Sequence, residues 1–295
     1  MTSTASDQRP IVVGVDSSDS ARHAAEWAAD LAAVHRCPLH LVHVVPGYGG
    51  DAAPSGTPNW LREVAAAAVR SGADATDTQI VSGGTDRLLL GRSEGARLLV
   101  VGSYGEAAWS GMLAGRVGLA LVEQAPCAVA VIRGSAPLLA PPRSGPVVVG
   151  VGGWNTSLRA LELGADLALA TGAELLAVRA FTEVDGSGTA AHLRHEDWAQ
   201  LVAIAGTEVD EALTRVLEHR SGVRFRREVV AGTTLRVLMD LARTARMIVV
   251  GQRDGRGPAG VMRLGSTSRG LVEFAPCPVV VSPAAAAHTV QHAAP

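Results

Sequence analysis

The chain repeats itself. PIVVGVDSSDSARHAAEWAADLA, beginning at Pro10, returns as PVVVGVGGWNTSLRALELGADLA at Pro146, 136 residues later. Downstream, RLLVVGSYG returns as RMIVVGQRDG, and AGRVGLALVEQAPCAVAVI as LGSTSRGLVEFAPCPVVVS. At the shared Ala-Pro-Cys, Ala125 and Ala275 stand 150 residues apart, so the second copy carries 14 more residues. A repeat of this length is the size of a domain rather than of a solenoid turn.

Two units also suit a chain of 295 residues, which is more than one hydrophobic core usually organises. The first unit is placed at residues 9–135 and the second at 147–284. Between them the proline-rich segment 136–146 reads as a semi-rigid linker. The tail 285–295 has no counterpart in the first copy and reads as disordered. Most of the extra length falls between Phe181 and Glu228, opposite the Gly/Pro-rich loop GYGGDAAPSGTP of the first copy, so the two mouths differ.

Within the first copy, short β-branched runs alternate with helix-length amphipathic stretches. The runs are IVVGV, LHLVHVV, TQIVS, RLLVVGS and AVAVI, and helices are predicted over 20–34, 60–71, 87–94 and 115–124. Strands joined by helical crossovers demand a parallel sheet covered on both faces. Aromatic residues make up only 3% of the chain against 47% apolar residues, so helices must approach that sheet through small side chains. The fold class is α/β, two Rossmann-like five-stranded parallel-sheet units in tandem. In such sheets a ligand sits at the carboxyl ends of strands, where the winding reverses.

The formal net charge is −2 with both signs interspersed, which argues against nucleic acid and against a membrane surface as partners. Every one of the 26 basic residues is arginine, which excludes Schiff-base chemistry and the lysine of a Walker P-loop. Cys37, Cys127 and Cys277 form no CxxC and imply neither a disulfide framework nor a zinc site. The polar N-terminus MTSTASDQRP and the lack of a long apolar run predict no signal peptide and no membrane span, hence a cytoplasmic protein.

After the run LLVV come Gly102-x2-Gly105-x9-Gly115 and then a predicted helix start. Glycines admit close backbone approach, so amides can converge on an anion that the helix dipole also favours. A phosphate is the natural occupant; the alternative is that these glycines only shape a loop.

With Asp16 in GVD, His43-Val44 closing LHLVHV, the G-x2-G-x9-G spacing and the APCAV and APCPV leads into the last strands, the chain resembles the universal stress protein family over nearly all of both copies. The resemblance implies a fold of the adenine nucleotide alpha hydrolase type and, in the first copy, ATP with magnesium. It implies Asp16 on the ribose, the backbone at Val44 on the adenine, and the loop from Gly102 on the phosphates, with amides around Gly105, Gly115, Arg116 and Val117. It further implies that the last strands pair edge to edge, which a tandem chain can do internally as a pseudo-twofold pair; a further homodimer is left open.

Both copies depart from the family pattern. Arg116 stands where a hydroxyl residue is expected, and a fixed charge in the first helical turn opposes the dipole by about 0.3 to 1 kcal/mol. In the second copy Gly152 replaces the ribose carboxylate, while Gly265, Ser266 and Thr267 keep the hydroxyl end. The loop spacing there is Gly251-x3-Gly255-x9-Gly265, one residue longer, with Asp254 as the candidate insertion. Nucleotide is therefore expected to bind weakly or not at all in the second copy.

Other motifs fail on context. Gly255, Gly257 and Gly260 spell a dinucleotide fingerprint, but Pro258 interrupts it and no acid ends a following strand. SGGTDR, from Ser82, resembles the loop of ATP pyrophosphatases but follows the wrong strand, which leaves Thr85 or Asp86 as a helix cap. His23, His35, His40 and His43 have no ligands at metal spacing, and the prolyl-cysteines Cys127 and Cys277 read as packing. Trp27, Trp60, Trp109, Trp154 and Trp198 lack the basic interleaving of a nucleic-acid platform, although Trp109 lies within the glycine loop. No GxSxG occurs, and no catalytic residues are assigned.

The expected function is a nucleotide-responsive stress regulator without dedicated catalysis, in which ATP sets the conformation offered to a protein partner that the sequence does not name. The alternative is a nucleotide-free structural or interaction module with degenerate pockets. An enzyme on the same fold ranks third.

Overall fold

Strands whose side chains are apolar at every position must be covered on both faces. In β1 (Ile11–Val15), Ile11 and Val13 join the core beneath one helical layer, whereas Val12 joins the core beneath the other. The computed structural model describes residues 9–45, 56–105, 115–136, 138–152, 154–181, 195–252 and 264–283. The tail 285–295, Trp109, Asp254 and the run Gly255 to Gly260 lie outside the described residues.

The first half continues with α1 (Asp19–His35), β2 (Leu39–Val45), α2 (Asn59–Arg70), β3 (Thr76–Ser82), α3 (Thr85–Ser93), β4 (Leu98–Gly102), α4 (Arg116–Gln124) and β5 (Ala128–Ile132). The second repeats the order with β6 (Val147–Gly150), α5 (Trp154–Thr171), β7 (Leu175–Phe181), α6 (His195–Leu217), β8 (Phe225–Ala231), α7 (Thr234–Ala242), β9 (Met247–Gly251), α8 (Ser266–Phe274) and β10 (Val279–Ser282). The expected elements are found within two residues at their ends, which is the usual fraying of such boundaries.

Strand order is β3-β2-β1-β4-β5-β10-β9-β6-β7-β8. Each half is parallel throughout, and the halves join where β10 pairs antiparallel with β5, Val280 opposite Ala130. Two apolar strand edges thus cover each other. One core lies under α1, α2, α5 and α6 and the other under α3, α4, α7 and α8, and both run across the junction.

Helix α1 shows how small side chains permit close packing. Its buried face is Ala24, Ala25, Ala28, Ala29 and Ala32 with Trp27 and Leu31. Ser18 caps its start, accepting from the Ala21 amide at 3.1 Å, and Arg36 ends it in the left-handed conformation. The connector between the halves is tied down as well: Arg143 pairs with Asp30 at 3.2 Å, and the Arg246 amide donates to the Pro146 carbonyl at 2.9 Å.

Among the described residues no helix is long and apolar enough to cross a membrane.

Candidate functional site

The sheet order reverses between β1 and β4, whose carboxyl ends therefore border a crevice. The pairing of β1 with β2 ends at Val15 opposite His43, yet β2 runs on beside β3 to Val45. This places Val44, a buried residue, on a strand edge that β1 no longer accompanies.

Asp16 follows β1 directly. Its Oδ1 accepts from the Ser18 amide at 3.0 Å and the Ser18 hydroxyl at 2.5 Å, so the carboxylate is fixed by the helix cap it helps to hold. Buried Ser20 accepts from the Ser103 amide at 2.8 Å, tying the start of α1 to the end of β4. That closeness explains two glycines. A Cβ on Gly102 would lie 2.8 Å from the Ser20 carbonyl carbon and 3.0 Å from the Ala21 nitrogen, and one on Gly105 would lie 2.8 Å from Asp16 Oδ2. The loop backbone at Gly105 thus runs against the carboxylate.

Gly115 caps α4 with no side-chain hydrogen bond, and among the described residues nothing lies within 4 Å of where its Cβ would be. Its amide donates to the Ser103 carbonyl at 2.9 Å, so one of the expected phosphate donors already has an acceptor. The amides of Arg116, Val117 and Gly118 open the helix, where no intrahelical acceptor exists. Arg116 is exposed and forms no ion pair among the described residues, while Val117 packs on the core.

His43 and Trp60 were not expected to meet. The His43 Nδ1 lies 3.0 Å from the Val15 carbonyl, which requires the proton on that nitrogen for a hydrogen bond. Trp60, from α2, sets its ring edge-on to the imidazole with centroids 4.8 Å apart. Together they wall the β2 side of the crevice.

The second copy keeps the frame and changes the lining. Gly152 stands where Asp16 would, its amide donating to the Ser157 hydroxyl at 2.8 Å. Arg179 occupies the position of His43 and donates through Nη1 to the Val151 carbonyl at 3.3 Å and to the Gly152 carbonyl. Glu208 of α6 pairs with the Arg179 Nη2 at 3.6 Å, and among the described residues the Arg179 Nε is buried without a partner. A guanidinium thus lies in the corner where the first copy presents a carboxylate.

Gly251 ends β9, and Gly265 caps α8 without a side-chain bond, followed by exposed Ser266 and half-buried Thr267. Ser268 approaches the Gly251 carbonyl at 3.3 Å. Gly255 lies outside the described residues. Gln252 replaces Ser103 and donates across the junction to the Val122 carbonyl, so the end of β9 is tied to the other half.

The model of the universal stress protein family matches residues 8–133 and again 144–283. The chain belongs to the universal stress protein family. It is 31% identical over 288 residues to the universal stress protein Rv2623 of Mycobacterium tuberculosis, covering 92% of this chain and 95% of that one. Rv2005c of the same organism is 32% identical over 298 residues, covering 93% and 97%. A crystal structure of a universal stress protein from Archaeoglobus fulgidus superposes with a TM-score of 0.63 at 19% identity, over 95% of this chain and 99% of that one, a likeness of fold. The family's tandem arrangement therefore spans this chain.

Two readings of local chemistry are settled by contacts. Neither Thr85 nor Asp86 caps α3; Gly84 does, with no side-chain bond, and Asp86 sits in the first turn where its charge suits the dipole. The prolyl-cysteines are held as thiols: burial pushes Cys127 up to about 11 and Cys277 up to about 12. Ser18 as a cap was visible in the DSSDS run, but the pairing of His43 with Trp60 and the role of Arg179 have no local signal.

Proposed function

We propose that the first copy binds an adenine nucleotide, ATP with magnesium, and that the chain acts by binding and not by turnover. The observation that carries this reading is the meeting of Asp16, the glycine loop at Gly105 and the open first turn of α4 at the reversal point of the sheet. Asp16 would hold the ribose hydroxyls, the β2 edge at Val44 would face the adenine beside His43 and Trp60, and the amides of Arg116 and Val117 would meet phosphate. Exposed Arg116 would reach the phosphates as a clamp, which offsets its unfavourable place at a helix start.

Among the described residues no group of three His, Cys, Asp or Glu side chains could hold a metal ion, so magnesium would arrive as the counter-ion of the phosphates. The second copy would not hold nucleotide in this way. There the Arg179 guanidinium takes the ribose corner, and no carboxylate follows β6. The chain would thus respond to ATP through one half and present a changed surface to a protein partner in the cytoplasm, a response that requires ATP to favour one conformation.

Calorimetry of the full chain with ATP and magnesium tests the reading. One site per chain is expected, and Asp16→Asn, which keeps an acceptor for Ser18 while removing the charge, should weaken it by about one to two decades. A flat trace with the wild-type protein would overturn it.

A further inference from the structure

A second hollow lies between the halves, beside the start of the glycine loop. It has a volume of about 220 Å³ and is bounded by the first turns of α1, the residues after β4 and β5, the connector and the end of α8. Its polar wall includes His23, Tyr104, Arg133 and Glu273, and its apolar wall includes Leu138, Leu139 and Phe274.

Three observations set it apart from an ordinary interdomain gap. First, Leu138, Leu139 and Phe274 are 61%, 53% and 51% exposed, three of the eight large apolar side chains left exposed among the described residues, and they gather at one place. Scattered exposed apolar groups need no explanation, but a cluster at a cavity does. Second, Leu138 has a left-handed backbone with φ 70°, a conformation costly for a residue with a branched side chain. The turn is held shut, because a Cβ on Gly134 would lie 2.0 Å from the Leu139 carbonyl oxygen, and the Leu138 amide donates to the Tyr104 hydroxyl at 3.3 Å.

Third, among the described residues the Arg133 guanidinium has no counter-ion. Its Nη1 donates to the Glu273 carbonyl at 2.6 Å, whereas the Glu273 carboxylate is engaged by Arg269 at 3.0 Å. Burial lowers the pKa of Arg133, the mark of a cation short of solvent and of acid partners. Burial also lowers that of His23, and the other charged residue of this wall, Glu273, has its carboxylate paired with Arg269. A partly buried guanidinium with several donors to spare is completed by an anion.

We infer that this cavity is a binding site for a small monoanion with an apolar tail, its head on Arg133 and its tail against Leu138, Leu139 and Phe274. The volume exceeds the roughly 150 Å³ that admits a benzene ring and falls short of the roughly 300 Å³ of drug-sized pockets, which suits a medium-chain carboxylate. A single cation matches a single negative charge; a phosphate dianion would remain half compensated beside apolar walls. The cavity adjoins the glycine loop, with which it shares Ser20, Ser103 and Tyr104, but Arg133, Leu138, Leu139 and Phe274 have no part in the proposed nucleotide site.

Octanoate titrated into the full chain by calorimetry is the test, with 1-octanol as the uncharged counterpart and inorganic phosphate as the anion without a tail. Octanoate should saturate at one per chain, with both controls at least about tenfold weaker. Arg133→Met should weaken octanoate about ten- to a hundredfold without affecting octanol, and Arg133→Lys should restore part of the loss. Leu139→Asp, at an exposed position that folding tolerates, should abolish octanoate binding. Failure of octanoate to saturate, equal binding by phosphate, or undiminished binding in either Arg133→Met or Leu139→Asp would overturn the assignment.

Discussion

His43 and Arg179 hold the same station in the two copies: each lies on the second strand of its half, one beside Val15 and the other beside Val151, and each donates to that residue's carbonyl. The imidazole does so with one nitrogen and leaves Asp16 its corner. The guanidinium reaches on to the Gly152 carbonyl and fills that corner. If this exchange is what separates the copies, Gly152→Asp alone should fail, because the new carboxylate would pair with Arg179. Gly152→Asp combined with Arg179→His should raise the calorimetric stoichiometry for ATP from one per chain to two.

The glycines of the loop are not equivalent. Gly102→Ala drives a methyl group into the backbone of α1 and should cost about 1 to 3 kcal/mol, read as a lower urea midpoint. Gly105→Ala would instead displace the Asp16 carboxylate, lowering nucleotide affinity with a smaller loss of stability. Gly115→Ala, with φ −60° and no described residue within 4 Å of the new methyl, should cost less than about 1 kcal/mol.

Burial, raising Cys127 to about 11 and Cys277 to about 12, keeps both as protonated thiols near neutral pH. In native protein at pH 8, a thiol-disulfide reagent should therefore titrate no more than one of the three cysteines, Cys37, and all three in denaturant. Rapid native modification of Cys277 would contradict this.

His23 supplies a pH dependence. Burial is the largest influence and lowers its pKa below 6.5, against the raising effects of Glu26 and Asp19 and with the lowering effect of Arg22. The folded state therefore binds the proton less readily than the unfolded chain. Its contribution to stability is complete above pH 6.5 and is lost as pH falls below it. His23→Gln should flatten the decline in urea midpoint between neutral pH and mild acid; an unchanged decline would exclude this residue as its source.

The antiparallel junction predicts the fate of an isolated half. Residues 1–135 alone would expose the edge of β5, whose residues are all buried in the whole chain. That fragment should self-associate through β5, and sedimentation should show dimers or larger species. A stable monomer would mean that the edge needs no cover.

Much of this fold could be read in advance because covered strands leave continuous apolar runs, as in IVVGV and AVAVI, and because the repeat shows each run twice. Gly102 and Gly105 could likewise be placed at a crevice by the reversal rule for parallel sheets, whereas Asp16 was placed there by the family resemblance. What escaped was set by distant chain segments. The loss of Asp16 in the second copy is visible as Gly152, but the arrival of a guanidinium there depends on strand register. The lack of a counter-ion at Arg133 among the described residues depends on α8, 140 residues away, whose Glu273 offers a carbonyl and spends its carboxylate on Arg269. The amide of Gly115, expected to serve a ligand, is engaged by Ser103.

Because β5 and β10 run in opposite directions, every strand of one half points away from the direction taken by the other half. The two openings consequently look out from opposite rims of a shared slab, too far apart in orientation for one small molecule to bridge. A substitution in the lining of one opening therefore leaves the lining of the other where it is, at the far rim of the sheet.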